Sequence, residues 1–265
     1  MNSSQINHIA EQLWNAEAEG APVAPVRGAI AEAAGGGSSI FAAYQVQQII
    51  TRRKLDAGAR LVGRKIGLTS PAVQMQLGVS EPDYGALFDS MAVCDGEEIS
   101  LARLMQPKAE AEIAFVLKKD LAFACNTVAD IIGAIDYAVA AIEVVGSRIA
   151  NWDIRLEDTV ADNASSAMFV LGTQPVALSK LDLAGCKMAM KANEETVSKG
   201  AGSACLGNPL NATRWLANTM SRLGTPLRAG DIILSGALGP MVAVIGPTTF
   251  KAEIEGLGSV RAVFA

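Results

Sequence analysis

The stretch Gln106-Pro-Lys-Ala-Glu-Ala-Glu-Ile-Ala-Phe-Val-Leu117 decides how this chain folds. It alternates acid with alanine and ends in an apolar run. Side chains alternate along a strand, so Glu110 and Glu112 share one face. A second apolar run, Ala140-Ala-Ile-Glu-Val-Val145, carries one acid, Glu143. The pattern alone leaves two readings. Glu110 and Glu112 sit on an exposed edge strand beside Lys108 or Lys118, or they point inward. Glu143 favours the second, because it is flanked by Ile142, Val144 and Val145 and meets no base before Arg148. Acids are rarely buried unless something offsets their charge. Three converging carboxylates call for a cation, and their hard oxygens suit Mg²⁺ or Mn²⁺.

Short strands dominate around these two runs. Residues 61–68, 98–101, 168–171, 187–191, 232–235, 241–245 and 250–254 read as strands, and 81–85 as a loop. Helices are expected at 71–77, at 127–136 capped by Thr127, and at 208–223. Upstream, a helix capped by Ser3 or Ser4 runs to Gly20, and an extended stretch holds Pro22 and Pro25. A second helix spans 40–56 behind Ser38 or Ser39. The strands do not alternate with long helices, which disfavours a doubly wound parallel sheet. The expected fold is α+β, a curved mixed β-sheet, with residues 1–60 as an N-terminal helical region packed on a catalytic body of residues 61–265.

Composition narrows the function. The chain has 265 residues, half of them hydrophobic, a net charge of −5 and 5% aromatics. It shows no basic stripe, so nucleic acid is not an expected partner. The apolar run 131–145 is interrupted by Asp136 and Glu143, so no membrane span is expected. Its four cysteines form no C-x-x-C pair, which fits buried free thiols in a reducing, cytoplasmic setting. The N-terminus lacks the marks of a secretory leader. His8 is the only histidine, so proton transfer falls to Lys, Asp, Glu, Tyr or water.

Lys65 stands between Val62 and Ile66, with Gly63 and Gly67 on its own side, which leaves room for a ligand. Its alternative is an exposed strand lysine beside Arg64. Asp83 and Tyr84 lie in the 81–85 loop, where a turn acid also caps backbone amides. The polar run 158–166 is a lid, a binding loop or a plain surface loop. The turn Ser235-Gly-Ala-Leu-Gly-Pro240 offers backbone amides to an anion, or simply reverses the chain. Two decoys fall away: residues 256–261 lack the third glycine of a dinucleotide fingerprint, and residues 63–67 lack the Gly-Lys-Ser/Thr of a phosphate loop.

Taken together, several motifs resemble the bacterial 2-keto-4-pentenoate hydratases of the fumarylacetoacetate hydrolase superfamily. They are Val62-Gly-Arg-Lys-Ile-Gly-Leu-Thr69, Gln76-Leu-Gly-Val79, Pro82-Asp-Tyr-Gly-Ala-Leu-Phe88, the 106–114 run, Glu143-Val-Val-Gly-Ser-Arg148, Asp158-Thr-Val-Ala-Asp-Asn-Ala164 and residues 230–241. The resemblance spans nearly the whole chain and implies that superfamily's β roll. It implies Glu110, Glu112 and Glu143 as ligands of a divalent metal, with Lys65 and Asp83 beside the substrate. It also places Ser165 on the pocket wall and Ser235, Gly236 and Ala237 near the keto-acid end.

The implied activity is hydration of 2-hydroxypenta-2,4-dienoate to 4-hydroxy-2-oxopentanoate in meta-cleavage degradation of aromatics. Lys65 would act as acid or proton carrier, which as a neutral amine requires a strongly lowered pKa. Rival readings are a 2-oxo-3-enedioate decarboxylase and a non-catalytic partner subunit of such a decarboxylase. Hydrolytic C–C cleavage is disfavoured, because the superfamily's hydrolases use a His-Glu pair. A homo-oligomer is expected, and a complex with a pathway decarboxylase or aldolase is compatible with these motifs.

Overall fold

A computed structural model describes residues 1–70, 74–75 and 79–265, so the helix expected at 71–77 lies largely outside the described residues. The N-terminal region holds α1 (Ser3–Glu19), α2 (Arg27–Ala34) and α3 (Ser39–Asp56). Asn2, not Ser3 or Ser4, caps α1 by accepting from the Ser4 and Gln5 amides, and Gly20 closes it with φ 66°. Helix α2 was not expected from the sequence; its short Ala-rich turns bury Ile30, Ala33 and Ala34. Ser38 caps α3, whose Val46 and Ile50 join Ile6, Ile9, Leu13 and Ile30 in one apolar cluster. Ile149, Val160 and Ala161 belong to that same cluster, which is how the helices grip the rest of the chain.

The body begins with β1 (Leu61–Gly67), β2 (Asp83–Phe88), β3 (Ala92–Val93), β4 (Glu98–Ile99) and β5 (Lys108–Leu117). It continues through α4 (Val128–Ala134), β6 (Ile135–Val145), α5 (Leu156–Ala161), β7 (Ser166–Leu171), β8 (Lys187–Ala192) and β9 (Glu195–Ala201). The last elements are α6 (Pro209–Arg222), β10 (Ile232–Ala237), β11 (Val242–Ala243), β12 (Thr248–Ile254) and β13 (Gly258–Phe264). The larger mixed sheet runs β2-β1-β10-β5-β6-β7-β3, with β11 also paired to β5. A smaller sheet runs β4-β13-β12-β8-β9.

Strand β5 falls where its pattern placed it. Its Ala111, Ile113 and Phe115 enter the main core, which draws on both sheets and on Leu216 and Met220 of α6. Glu112 points to the opposite face, where Ala114 joins Val62, Phe88, Val139 and Phe169. Several expectations need correction. Residues 83–88, whose first part was read as loop, form a fully buried strand. The helix expected through residue 136 ends at Ala134, and β6 begins at once. Strands β9 and β13 had no counterpart in the expected set.

Candidate metal centre and active site

The antiparallel register of β5 with β6 sets Glu110 directly opposite Glu143, and Glu112 opposite Ala141. One carboxylate oxygen from each of Glu110, Glu112 and Glu143 lies within 4.8 Å of the others. Glu112 and Glu143 are buried, 1% and 0% exposed. One Glu112 oxygen accepts from the Gly236 amide at 2.8 Å. Among the described residues, its second oxygen and both Glu143 oxygens have no hydrogen-bond donor. Burial and then the Glu143 charge push the Glu110 carboxyl up to about 7, and push Glu112 well above the carboxylate range. Unpaired buried carboxylates cost folding energy as they stand. They are also the hard anionic donor set that a divalent cation requires, so the residues fit one.

Lys65 reaches this cluster from β1, with Nζ 3.3 Å from a Glu143 oxygen in an ion pair that lacks hydrogen-bond geometry. Asp83, first residue of β2, sits opposite Gly67. A Cβ on Gly67 would stand 2.2 Å from Asp83 Oδ1 and 3.3 Å from Lys65 Nζ, so the missing side chain is what lets these two groups approach. The room expected for a ligand at Gly63 and Gly67 is therefore taken up by the protein: by Asp83 at Gly67, and by the Ile232 backbone at Gly63. Burial alone would lower the Lys65 pKa, but Glu143, Asp83, Glu110 and Glu112 outweigh it and the pKa is raised. With no cation bound, these carboxylates favour the ammonium form of Lys65 over the neutral amine considered from the sequence. Burial raises the Asp83 carboxyl, against the opposing effect of Lys65.

Ser235, Gly236 and Ala237, read from the sequence as part of a turn, form the end of strand β10 and contribute backbone more than side chain. The Ser235 hydroxyl donates to the Ile113 carbonyl at 2.8 Å, while Gly236 supplies its amide to Glu112 and Ala237 pairs opposite Glu112. Gly236 has φ 115°, and a Cβ there would meet Thr69 Oγ1 at 2.3 Å, so this position requires glycine. Ser165 is 4% exposed and its hydroxyl lies 3.2 Å from that of Thr159. It ends a left-handed turn in which Asn163, Ala164 and Ser165 have φ of 54°, 51° and 55°.

Two residues went unmarked in the sequence. Within the flagged 158–166 run, Asn163 accepts from the Ala86 amide at 2.7 Å and donates to the Ala86 carbonyl at 2.9 Å, tying the turn to β2. Cys205, which no motif signals, donates to the Ser235 carbonyl at 2.8 Å; burial and then the Glu112 charge push its thiol up to about 12.

Comparison with known proteins places this geometry. Residues 62–265 match the model of the fumarylacetoacetate (FAA) hydrolase C-terminal family. The chain belongs to the fumarylacetoacetate hydrolase family. It is 58% identical over 263 residues to a 2-keto-4-pentenoate hydratase of Burkholderia vietnamiensis, covering 99% of this chain and 98% of that one. It is 45% identical over 219 residues to a 2-hydroxyhexa-2,4-dienoate hydratase of Comamonas testosteroni, covering 82% of this chain and 83% of that one. Among solved structures it resembles the 4-oxalocrotonate decarboxylase of Pseudomonas putida G7, complexed with magnesium and adipate. That likeness has a TM-score of 0.93 at 37% identity, over 100% of this chain and 99% of the other.

Proposed function

We propose that this chain is a metal-dependent hydro-lyase that adds water to 2-hydroxypenta-2,4-dienoate, giving 4-hydroxy-2-oxopentanoate. The observation that carries the reading is the cluster of Glu110, Glu112 and Glu143, with oxygens lacking donors, beside the Lys65 ammonium and Asp83. High full-length identity to hydratases supports the choice of reaction over the decarboxylase, which lies at lower identity. Glu110, Glu112 and Glu143 would hold the ion, and hard oxygens make Mg²⁺ or Mn²⁺ our assignment. When bound, a divalent ion supplies Lewis acidity to the 2-oxo acid.

The remaining steps fall to this chain's own groups. The dienol gains a proton at C5 from its donor and returns its own hydroxyl proton to that donor, giving an α,β-unsaturated ketone. Lys65, kept charged by its carboxylate neighbours, is the donor at C5. Water then adds its hydroxyl at C4 and a proton at C3. Asp83, adjoining Lys65 across Gly67 and with a raised pKa, takes the proton that this water gives up and passes it on to C3. Ser165 is assigned to the pocket wall, and Ser235, Gly236 and Ala237 at the end of β10 to the keto-acid end of the substrate. We also read the chain as a homo-oligomer, in keeping with the family resemblance. A complex with a pathway decarboxylase or aldolase is part of this reading, as is a cytoplasmic setting.

The deciding experiment offers chelator-stripped protein, restored with Mg²⁺ or Mn²⁺, both the dienoate and 4-oxalocrotonate. Metal-dependent loss of dienoate absorbance with 4-hydroxy-2-oxopentanoate as product supports the proposal. Release of CO₂ from 4-oxalocrotonate without hydration would make the chain a decarboxylase, and no turnover of either would make it a silent partner.

A further inference from the structure

We propose that Lys108, fixed by Trp152, is the cation that recognises the substrate's C1 carboxylate. This rests on the dienoate reading and names a recognition residue for it. Lys108 opens β5 two residues before Glu110, so strand alternation puts it on the face of the acid cluster. Its register neighbours are Val145 on β6 and Ala243 on β11, neither of which offers a side-chain acceptor. Among the described residues no acidic side chain forms an ion pair with it. What its ammonium meets is the Trp152 ring, 4.0 Å from the centroid.

That indole is held against backbone strain. Trp152 has φ 54° and Asn151 φ 60°, a conformation that bulky side chains avoid. Its ring nitrogen donates to the Gln106 carbonyl at 2.9 Å, and Gln106 is itself at φ 50°. The Gln106 amide in turn donates to the Ser147 and Ile149 carbonyls at 2.9 and 2.7 Å. Strained residues persist only where their surroundings over-determine them, and they gather at functional sites. Here the cluster fixes a half-buried lysine that feels the Glu110 charge but makes no close ion pair with an acid among the described residues. Charge gives the reason. A carboxylate substrate meets a site lined by four acids, Glu110, Glu112, Glu143 and Asp83, and is repelled by those that are charged. A second cation beside the cluster offsets that repulsion, and Lys108 is placed to supply it.

The test compares wild type with Lys108→Met, Lys108→Arg and Trp152→Leu. Three quantities are read: kcat and KM on the dienoate, the Kd of Mn²⁺ alone by calorimetry, and the Kd of pyruvate for the Mn²⁺-loaded protein. A charge-assisted contact predicts that Lys108→Met raises KM and the pyruvate Kd about tenfold or more. It leaves kcat and the Mn²⁺ Kd near wild type, and Lys108→Arg recovers most of the loss. Trp152→Leu moves the same two quantities in the same direction by less. Unchanged KM and pyruvate Kd in Lys108→Met overturn the assignment. So does a loss matched by equal weakening of Mn²⁺ binding, which would make Lys108 a partner of the acids. A wild type that fails to hydrate the dienoate, while Lys108→Met still weakens pyruvate, removes the hydratase reading and keeps the lysine.

Discussion

Glu143 shows how one residue can be a liability to the fold and an asset to the site. It is fully buried, and neither of its oxygens has a hydrogen-bond donor among the described residues. Replacing it with Gln keeps the shape and removes one of three crowded negative charges. The metal-free Glu143→Gln protein should therefore melt at or above the metal-free wild type, since relieving a buried charge offsets the lost Lys65 pair. With saturating Mn²⁺ the order should reverse, because only the wild type gains from binding; thermal unfolding of both forms, with and without ion, reads this directly. A variant that melts far below wild type in both states would mean the carboxylate is structural. The thiols give a second residue-scale expectation. Cys94 and Cys125 are exposed, while Cys186 and Cys205 are buried. With burial holding Cys205 at about 12, native protein at pH 8 should titrate two thiols quickly and all four only after unfolding. Fast labelling of Cys205 in the native protein would contradict its burial.

Among the elements, β5 was legible and β2 was not, and the difference is physical. The alternation of Glu110 and Glu112 with alanine survives in the structure because a strand buried on both faces must still sort charge from core. In β2, Pro82, Asp83 and Gly85 carry turn chemistry, yet the segment from Asp83 on is strand. Gly85 is needed because a Cβ there would lie 2.4 Å from the Asn163 carbonyl oxygen, a neighbour 78 residues away that no local pattern reveals. The three acids could be read from sequence as a set, but their shared end of the sheet depends on the register of β5 with β6. The Asn163 clamp makes β2 testable as an element. Losing both hydrogen bonds to Ala86 should cost about 1–3 kcal/mol, as buried backbone groups lose a partner. Because β2 carries Asp83, Asn163→Ala should also lower kcat more than it raises KM. Denaturant unfolding and steady-state kinetics measure the two effects, and an unchanged kcat would separate the clamp from the chemistry.

Over the whole molecule, the site is assembled from β1, β2, β5, β6 and the end of β10, so its geometry exists only when the large sheet is in register. A ligand that needs all of these pieces binds the folded chain and not the unfolded one, and it stabilises by mass action. At free Mn²⁺ about a hundredfold above Kd, the gain should be roughly 2.7 kcal/mol. For a chain of this length that corresponds to a rise in Tm of about 5–10 °C. The rise should follow the logarithm of free ion concentration, vanish with excess chelator, and shrink sharply in Glu110→Gln, Glu112→Gln and Glu143→Gln alike. An equal response in these variants and in wild type would place the ion elsewhere on the molecule. A response lost in only one of them would mean that the other two carboxylates converge without sharing the ion.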